Sequence, residues 1–374
     1  METNGKVFIT GSTGFIGSKL VARLIERGFS IRGLARKPLE SKPGIDYIQG
    51  DVTDIDSIRC GMDGCRYAFH LAAYAKNWSR NPTLYDDINI RGARNVFTVA
   101  KEYKLERLVW TSTVVTMGPT RPGEIGDEEM PRITEKFFTE YERSKTEMER
   151  ESFRWVDDGL PLVTVNPTRV YGPEMLGAPK IVNTFPDAGR YRERINPCEA
   201  EALQRSHRRG LSESNTVSIM IDTFRKGRFP ILLNRGVNIG NYAFIDDVVK
   251  GHILAMERGR IGERYILGGE NVSLDGLFRT IERIDEKKRF QLKIYWIIPM
   301  LVAYVFKYRA RLFGTYPPIT PGWVRTFLAD WAFSSEKAKR ELGYQPLSLE
   351  EGLRKTCAWL SELDTKLDNY AGKP

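Results

Sequence analysis

Residues 7–28 read VFITGSTGFIGSKLVARLIERG. An apolar run passes through three glycines, Gly11, Gly14 and Gly17, into an amphipathic helical pattern. Each glycine has its own task in such a strand–turn–helix. Gly11 permits the tight turn, Gly14 lets the backbone approach a bound group, and Gly17 lets the helix pack closely. The start of the helix presents unpaired N–H groups and the positive end of a dipole, so the loop suits an anion such as a pyrophosphate. Three glycines alone say little. Placed after a buried strand, opening an amphipathic helix and close to the N-terminus, they read as a phosphate loop rather than a ligand-free turn. The candidate residues are Gly11, Thr13, Gly14, Phe15, Ile16 and Gly17.

The next strand ends in IRGLARKP (31–38). An acidic residue at this tip would take the ribose hydroxyls of NAD. Arg36 and Lys37 stand there instead. Two cations suit the additional 2′-phosphate of NADP, and arginine can grip it bidentately. NADP is therefore the favoured cofactor, and NAD stays open because a carboxylate elsewhere can serve it.

Working outward, short apolar runs at 6–10, 30–35, 45–49, 67–72, 107–112 and 161–166 alternate with amphipathic segments such as NIRGARNVFTVAKEY. This alternation predicts an α/β fold with a doubly wound parallel sheet. A dinucleotide domain is expected over 1–172, with about 241–255 returning to it. Residues 173–374 are expected to form mainly a smaller α/β substrate-binding lobe. A polar, basic, weakly periodic insertion occupies about 177–215 and reads as a surface loop. In WIIPMLVAYVFKYRARL (296–312) apolar residues recur at helical spacing, with Pro299 in a first-turn position. A helix packed on the small lobe is favoured, because a helix of this length needs a tertiary partner. The alternative is a greasy basic surface helix over 295–313 that meets a membrane or lines a lipophilic site.

The bulk numbers exclude several classes. The 374 residues are 41% hydrophobic and 28% charged, an ordinary soluble composition. The net charge of +9 suits a ligand rich in phosphate, and no interleaving of aromatic and basic residues points to nucleic acid. Four cysteines without metal-ligand spacing and only three histidines argue for no metal site and for free thiols in a reducing cytosol. A cytoplasmic location is expected, since no signal peptide precedes the first strand. The apolar stretch 295–306 is far short of the roughly 20 residues that span a bilayer.

EYERSKTE (140–147) places Tyr141 and Lys145 four residues apart, on one face of a helix. A phenol ionises near pH 10, too high for ready proton exchange at neutrality. An ammonium about 4 Å away would favour the phenolate by up to ~4 kcal/mol.

TGSTGFIG (10–17), GDVTD (50–54), HLAA (70–73), YERSK (141–145) and NPTRVYGP (166–173) stand in the order found in extended short-chain dehydrogenases/reductases, the NAD-dependent epimerase/dehydratase family. The chain resembles most the branch holding dihydroflavonol reductases, 3β-hydroxysteroid dehydrogenases and hopanoid-associated sugar epimerase-like proteins. That resemblance implies that Tyr141 is the acid/base and that Lys145 tunes it and holds the nicotinamide ribose. It implies that Asp51 and Val52 border the adenine, that Leu71, Ala72 and Ala73 pass along the pyrophosphate and ribose, that Asn89 steadies a helix, and that Pro167 and Val170 flank the nicotinamide. The catalytic hydroxyl falls on Thr113 in TSTVVTMGP, with Ser112 just before it as the alternative. The acidic pair of sugar-nucleotide dehydratases is replaced by VVTM. The expectation is hydride transfer between NADP(H) and a small hydrophobic carbonyl or alcohol, sterol-, terpenoid- or flavonoid-like. A nucleotide-sugar epimerase with tightly held NAD is the alternative, with Lys226, Arg228 and Arg235 as candidate cations. A non-catalytic dinucleotide-binding regulator is a third reading. By resemblance a homodimer is expected.

Overall fold

The computed structural model describes residues 4–173, 217–229 and 231–371. The insertion expected at about 177–215 lies outside them. The strands are β1 (Lys6–Thr10), β2 (Ser30–Ala35), β3 (Ile45–Gln49), β4 (Tyr67–His70), β5 (Arg107–Thr111), β6 (Leu162–Pro167), β7 (Arg169–Tyr171), β8 (Ile231–Leu233), β9 (Ile239–Phe244), β10 (Arg264–Leu267), β11 (Glu270–Ser273) and β12 (Leu292–Ile294). The helices are α1 (Phe15–Glu26), α2 (Ile55–Met62), α3 (Gly92–Glu102), α4 (Glu140–Asp157), α5 (Val217–Arg225), α6 (Ile245–Arg258), α7 (Leu274–Asp285), α8 (Ile297–Phe313), α9 (Pro321–Leu328), α10 (Glu336–Leu342) and α11 (Leu349–Ala371).

The main sheet has seven strands in the order β10-β6-β5-β4-β1-β2-β3, and every pairing in it is parallel. The order reverses between β1 and β4, the place where an open α/β sheet leaves a crevice at its carboxyl edge. Strands buried on both faces need near-continuous apolar sequence. Val7, Phe8 and Ile9 of β1 are fully buried, as are all six residues of β6. Two smaller sheets, β11-β9-β7 and β12-β8, form beside it.

The segment 241–255 divides. Residues 241–244 belong to β9 of the three-stranded sheet, whereas α6 packs on α1, β5 and β6 of the large layer. The strand after it, β10, adds to the large sheet beyond β6, although the sequence reading placed it in the small lobe.

Helix α8 also departs from the favoured expectation. It forms, but among its described side chains only Pro299, Ala303 and Ala310 are buried. Ala303 packs in one cluster with Trp323 and Val324 of α9, and most of the larger apolar side chains are exposed.

Candidate active site

The carboxyl ends of β1, β4, β5 and β6 surround a cavity of about 350 Å³. Its nucleotide-loop wall comes from Gly11, Gly14, Phe15, Ile16, Gly17, Leu71 and Ala73. Thr113, Tyr141, Pro167 and Val170 stand beside them. The C-terminal half adds Val217, Met220, Trp323, Phe327 and Trp331, so this wall is broadly apolar.

The loop is as tight as its glycines suggest. Gly11 has φ +70°, and a Cβ there would lie 2.8 Å from Ala72 N. A Cβ on Gly17 would lie 2.1 Å from Gly11 O. Helix α1 has Gly14 at its N-cap and no side-chain cap, leaving its first N–H groups to the cavity. Thr10 Oγ1 pairs with His70 Nδ1 at 2.6 Å and accepts from Ala72 N at 3.2 Å, tying β1 to β4 where the strand order reverses. Burial pushes His70 down to about 3, so it stays neutral.

Tyr141 occupies the first turn of α4. Thr139 caps that helix by accepting from Glu142 N at 3.1 Å. Glu142 in turn accepts from Phe138 N at 2.7 Å and forms a buried ion pair with Arg132. This Thr-x-x-Glu spacing is a helix-start signal, and it fixes the rotation at which Tyr141 enters the cavity.

Thr113 hydrogen-bonds Tyr141, which lowers the phenol, but burial is the larger influence and raises it to about 12. Lys145 is buried, donates from Nζ to Thr111 O at 2.8 Å and lies 4.5 Å from the Trp110 ring centre. Its ammonium thus rests at the end of β5. Burial lowers Lys145 to about 7, opposed by the charge of Glu149 one turn further on.

Ser112 and Thr113 point apart, as neighbours leaving a strand do. Ser112 Oγ donates to Glu149, which also accepts from Asn166 Nδ2 at 2.9 Å and pairs with Arg264 at 3.0 Å. Reading the sequence missed this buried network. Its signal was present, because Tyr141, Lys145 and Glu149 recur at four-residue spacing on one face of α4. The two hydroxyls are separable by mutation. Thr113→Val is expected to lower kcat by about 10². Ser112→Ala should leave kcat near wild type while costing about 1–3 kcal/mol of stability, because Glu149 loses a donor. Steady-state rates and denaturant unfolding check both, and the reverse pattern would assign the hydroxyl to Ser112.

Other candidates lie outside the cavity lining. Arg36 and Lys37 are exposed just beyond β2, and Thr13 is half-buried in the loop. Asp51 accepts from Thr53 N and Oγ1 at 2.9 and 2.8 Å. Val52 is buried where a Cβ on Gly92 would meet it at 2.7 Å. Ala72 passes under Gly11. Asn89 spends its amide on Tyr74 N, Tyr74 O and Ser144 Oγ, tying the loop after β4 to α4.

The donor set fits a dinucleotide. A Cβ on Gly11 or Gly17 would collide with backbone atoms, and the start of α1 is uncapped. Two further cavity-lining groups, Asn77 Nδ2 and Thr168 Oγ1, are buried without a hydrogen-bond partner among the described residues. No described cluster of His, Cys, Asp or Glu has the makings of a metal site.

Fold and site together define a dinucleotide-dependent enzyme with a hydroxyl–tyrosine–lysine set. A sequence model of the NAD dependent epimerase/dehydratase family matches residues 7–191. The chain belongs to that family, as an NAD(P)-dependent enzyme of its extended short-chain dehydrogenase/reductase type. It is 28% identical over 361 residues to a Synechocystis sp. protein provisionally named dihydroflavonol 4-reductase, covering 94% of this chain and 93% of that one. It is 25% identical over 362 residues to sterol demethylase protein B of Methylococcus capsulatus, covering 95% and 98%. The crystal structure of gox2253 superposes with a TM-score of 0.72 at 30% identity, covering 96% of this chain and 99% of that one.

Proposed function

We propose that this enzyme reduces a carbonyl group on a small hydrophobic molecule, sterol-, terpenoid- or flavonoid-like, with NADPH as the hydride source. The observation that carries this reading is the Thr113–Tyr141 hydroxyl pair, set between the glycine loop and the apolar wall of Trp323, Phe327 and Trp331. The names of the dihydroflavonol and sterol relatives support the substrate class.

When bound, the dinucleotide supplies a hydride to the carbonyl carbon. Thr113 and Tyr141 donate to the carbonyl oxygen and hold it. As negative charge builds there, Tyr141 Oη passes its proton across. A phenol raised to about 12 carries that proton throughout the neutral range, which suits the direction of reduction. Lys145 contributes a titrating charge behind the pair and a donor for the nicotinamide ribose. The cations weighed for a nucleotide sugar lend no support to epimerisation. Lys226 is paired with Asp222 and Asp364, and neither it nor Arg228 nor Arg235 lines the cavity.

An exposed arginine just beyond β2, Arg36, supports NADP, since a guanidinium suits a 2′-phosphate. Arg36→Ala is expected to raise the KM for NADPH about tenfold or more and to leave NADH nearly unchanged, because only NADPH loses a charge-assisted bond. Equal losses for both would remove NADP preference from this residue. The reaction itself is tested by following NADPH consumption over a panel of sterol ketones and flavonoid carbonyls. Turnover on that panel supports the proposal. Protein that purifies with NAD locked in place and interconverts nucleotide sugars without net cofactor use would overturn it.

A further inference from the structure

Helix α8 and the segment before it expose an unusual concentration of apolar side chains. Leu301 is 63% exposed, Val305 66%, Leu312 81% and Phe313 73%, and Phe290 reaches 80%. Helical periodicity puts Ile298, Leu301, Val302, Val305 and Leu312 on one face. A contiguous greasy face of this kind marks an interaction site.

The chemistry of the face narrows its occupant. The sequence of α8, IIPMLVAYVFKYRARLF, contains no Asp or Glu. Lys307, Arg309 and Arg311 are exposed in its last two turns, and exposed Lys293 lies just ahead of it. Tyr295 and Trp296 flank its start, and Tyr308 and Phe313 lie toward its end, all exposed. By the same periodicity Arg309 lies within the apolar stripe, Arg311 lies toward its side and Lys307 faces away from it. Amphipathic aromatics at the ends and arginines within reach of an apolar stripe are the pattern of a helix lying in a bilayer interface. No described helix is long and apolar enough to cross a membrane. A second copy of this chain is the other conceivable cover, but pairing this helix with itself would bring two acid-free, cationic surfaces together.

We propose that α8 docks this enzyme in the plane of a bilayer carrying anionic headgroups. The apolar face enters the acyl boundary, and the long side chains of Arg309 and Arg311 reach out to the headgroups. The docked side is close to the cavity. Ala303 of α8 packs in one cluster with Trp323 of α9, and Trp323 also lines the cavity wall. Tyr304 accepts from Arg325 at 3.0 Å and holds the two helices together. The docking inference does not depend on which carbonyl compound is reduced.

The test is flotation of the full-length protein with vesicles of phosphatidylcholine alone or mixed with phosphatidylserine. The protein is expected to float with the phosphatidylserine vesicles and to be released by salt. The double variants Leu301→Glu/Val305→Glu and Arg309→Glu/Arg311→Glu should each lower vesicle partition about tenfold or more. Because these side chains are exposed, circular dichroism and thermal unfolding should match the parent. Protein that stays in solution with both vesicle types overturns the proposal. So does a dimer in light scattering that the Leu301→Glu/Val305→Glu variant dissociates while no vesicle binding is seen, which would assign the face to a second copy.

Discussion

Tyr141→Phe is expected to lower kcat by about 10³ while leaving NADPH affinity within twofold of the parent. The substitution removes one oxygen and keeps the ring, so the packing of the first turn of α4 survives. What disappears is the proton donor and the partner of Thr113. Single-turnover rates and a fluorescence titration with NADPH separate the two effects. A variant that keeps more than a tenth of wild-type turnover would move the acid to another group. The pH profile adds a second reading of the same site. Burial raises the phenol, so its neutral, donating form persists above the usual phenol value, and reduction by the parent enzyme should not decline on its account near pH 10. A break near neutrality belongs instead to Lys145, which burial lowers to about 7 and which loses its charge as pH rises through that value.

Gly17→Ala is expected to weaken dinucleotide binding by about 10² or more and to destabilise the fold by about 1–3 kcal/mol. The new Cβ would be placed 2.1 Å from Gly11 O and 2.9 Å from Gly11 C, both backbone atoms that cannot swing aside. Helix α1 must then retreat from the loop, and the N–H groups that converge on the pyrophosphate separate. Gly14→Ala separates folding from binding, because Gly14 is the position where the backbone approaches the pyrophosphate. Its Cβ would meet only Gly11 O, at 3.1 Å, and its φ of −79° is ordinary for any residue. Thermal unfolding should show the large loss at Gly17 alone, whereas NADPH titration should show weakened binding in both variants. Comparable binding by all three proteins would mean that the loop does not hold the phosphates.

The most legible parts of this molecule were those in which chemistry and chain are local. A strand, three glycines and a helix must be contiguous to cradle a phosphate, so residues 7–28 announce the site and much of the fold. The pair Tyr141 and Lys145 was visible because a helix brings every fourth residue onto one face. Placement of Lys145 was not, since its ammonium settles against Thr111 O and Trp110, which precede it by more than a full helix in the chain. Glu149 looked like its exposed neighbour Glu147, because burial of a carboxylate depends on Asn166 and Arg264 arriving from two later strands. Pairing of β10 with β6 is likewise a long-range event that local pattern does not encode. Helix α8 was readable as a helix, but whether its greasy side is covered depends on what the rest of the chain offers.

The position of β10 sets a schedule for the newly made chain. A ribosome releases β1 to β6 first, and those six strands can assemble with α1 to α4 as soon as they emerge. Until Arg264–Leu267 follows, β6 is the open margin of that assembly, with unpaired backbone groups along LVTVNP and no neighbour beyond it. Everything from residue 168 to 263 must be synthesised in that interval. The strand that ends up buried along its whole length is therefore, for a time, an open edge of the nascent protein, and the step that covers it is the last addition to the sheet.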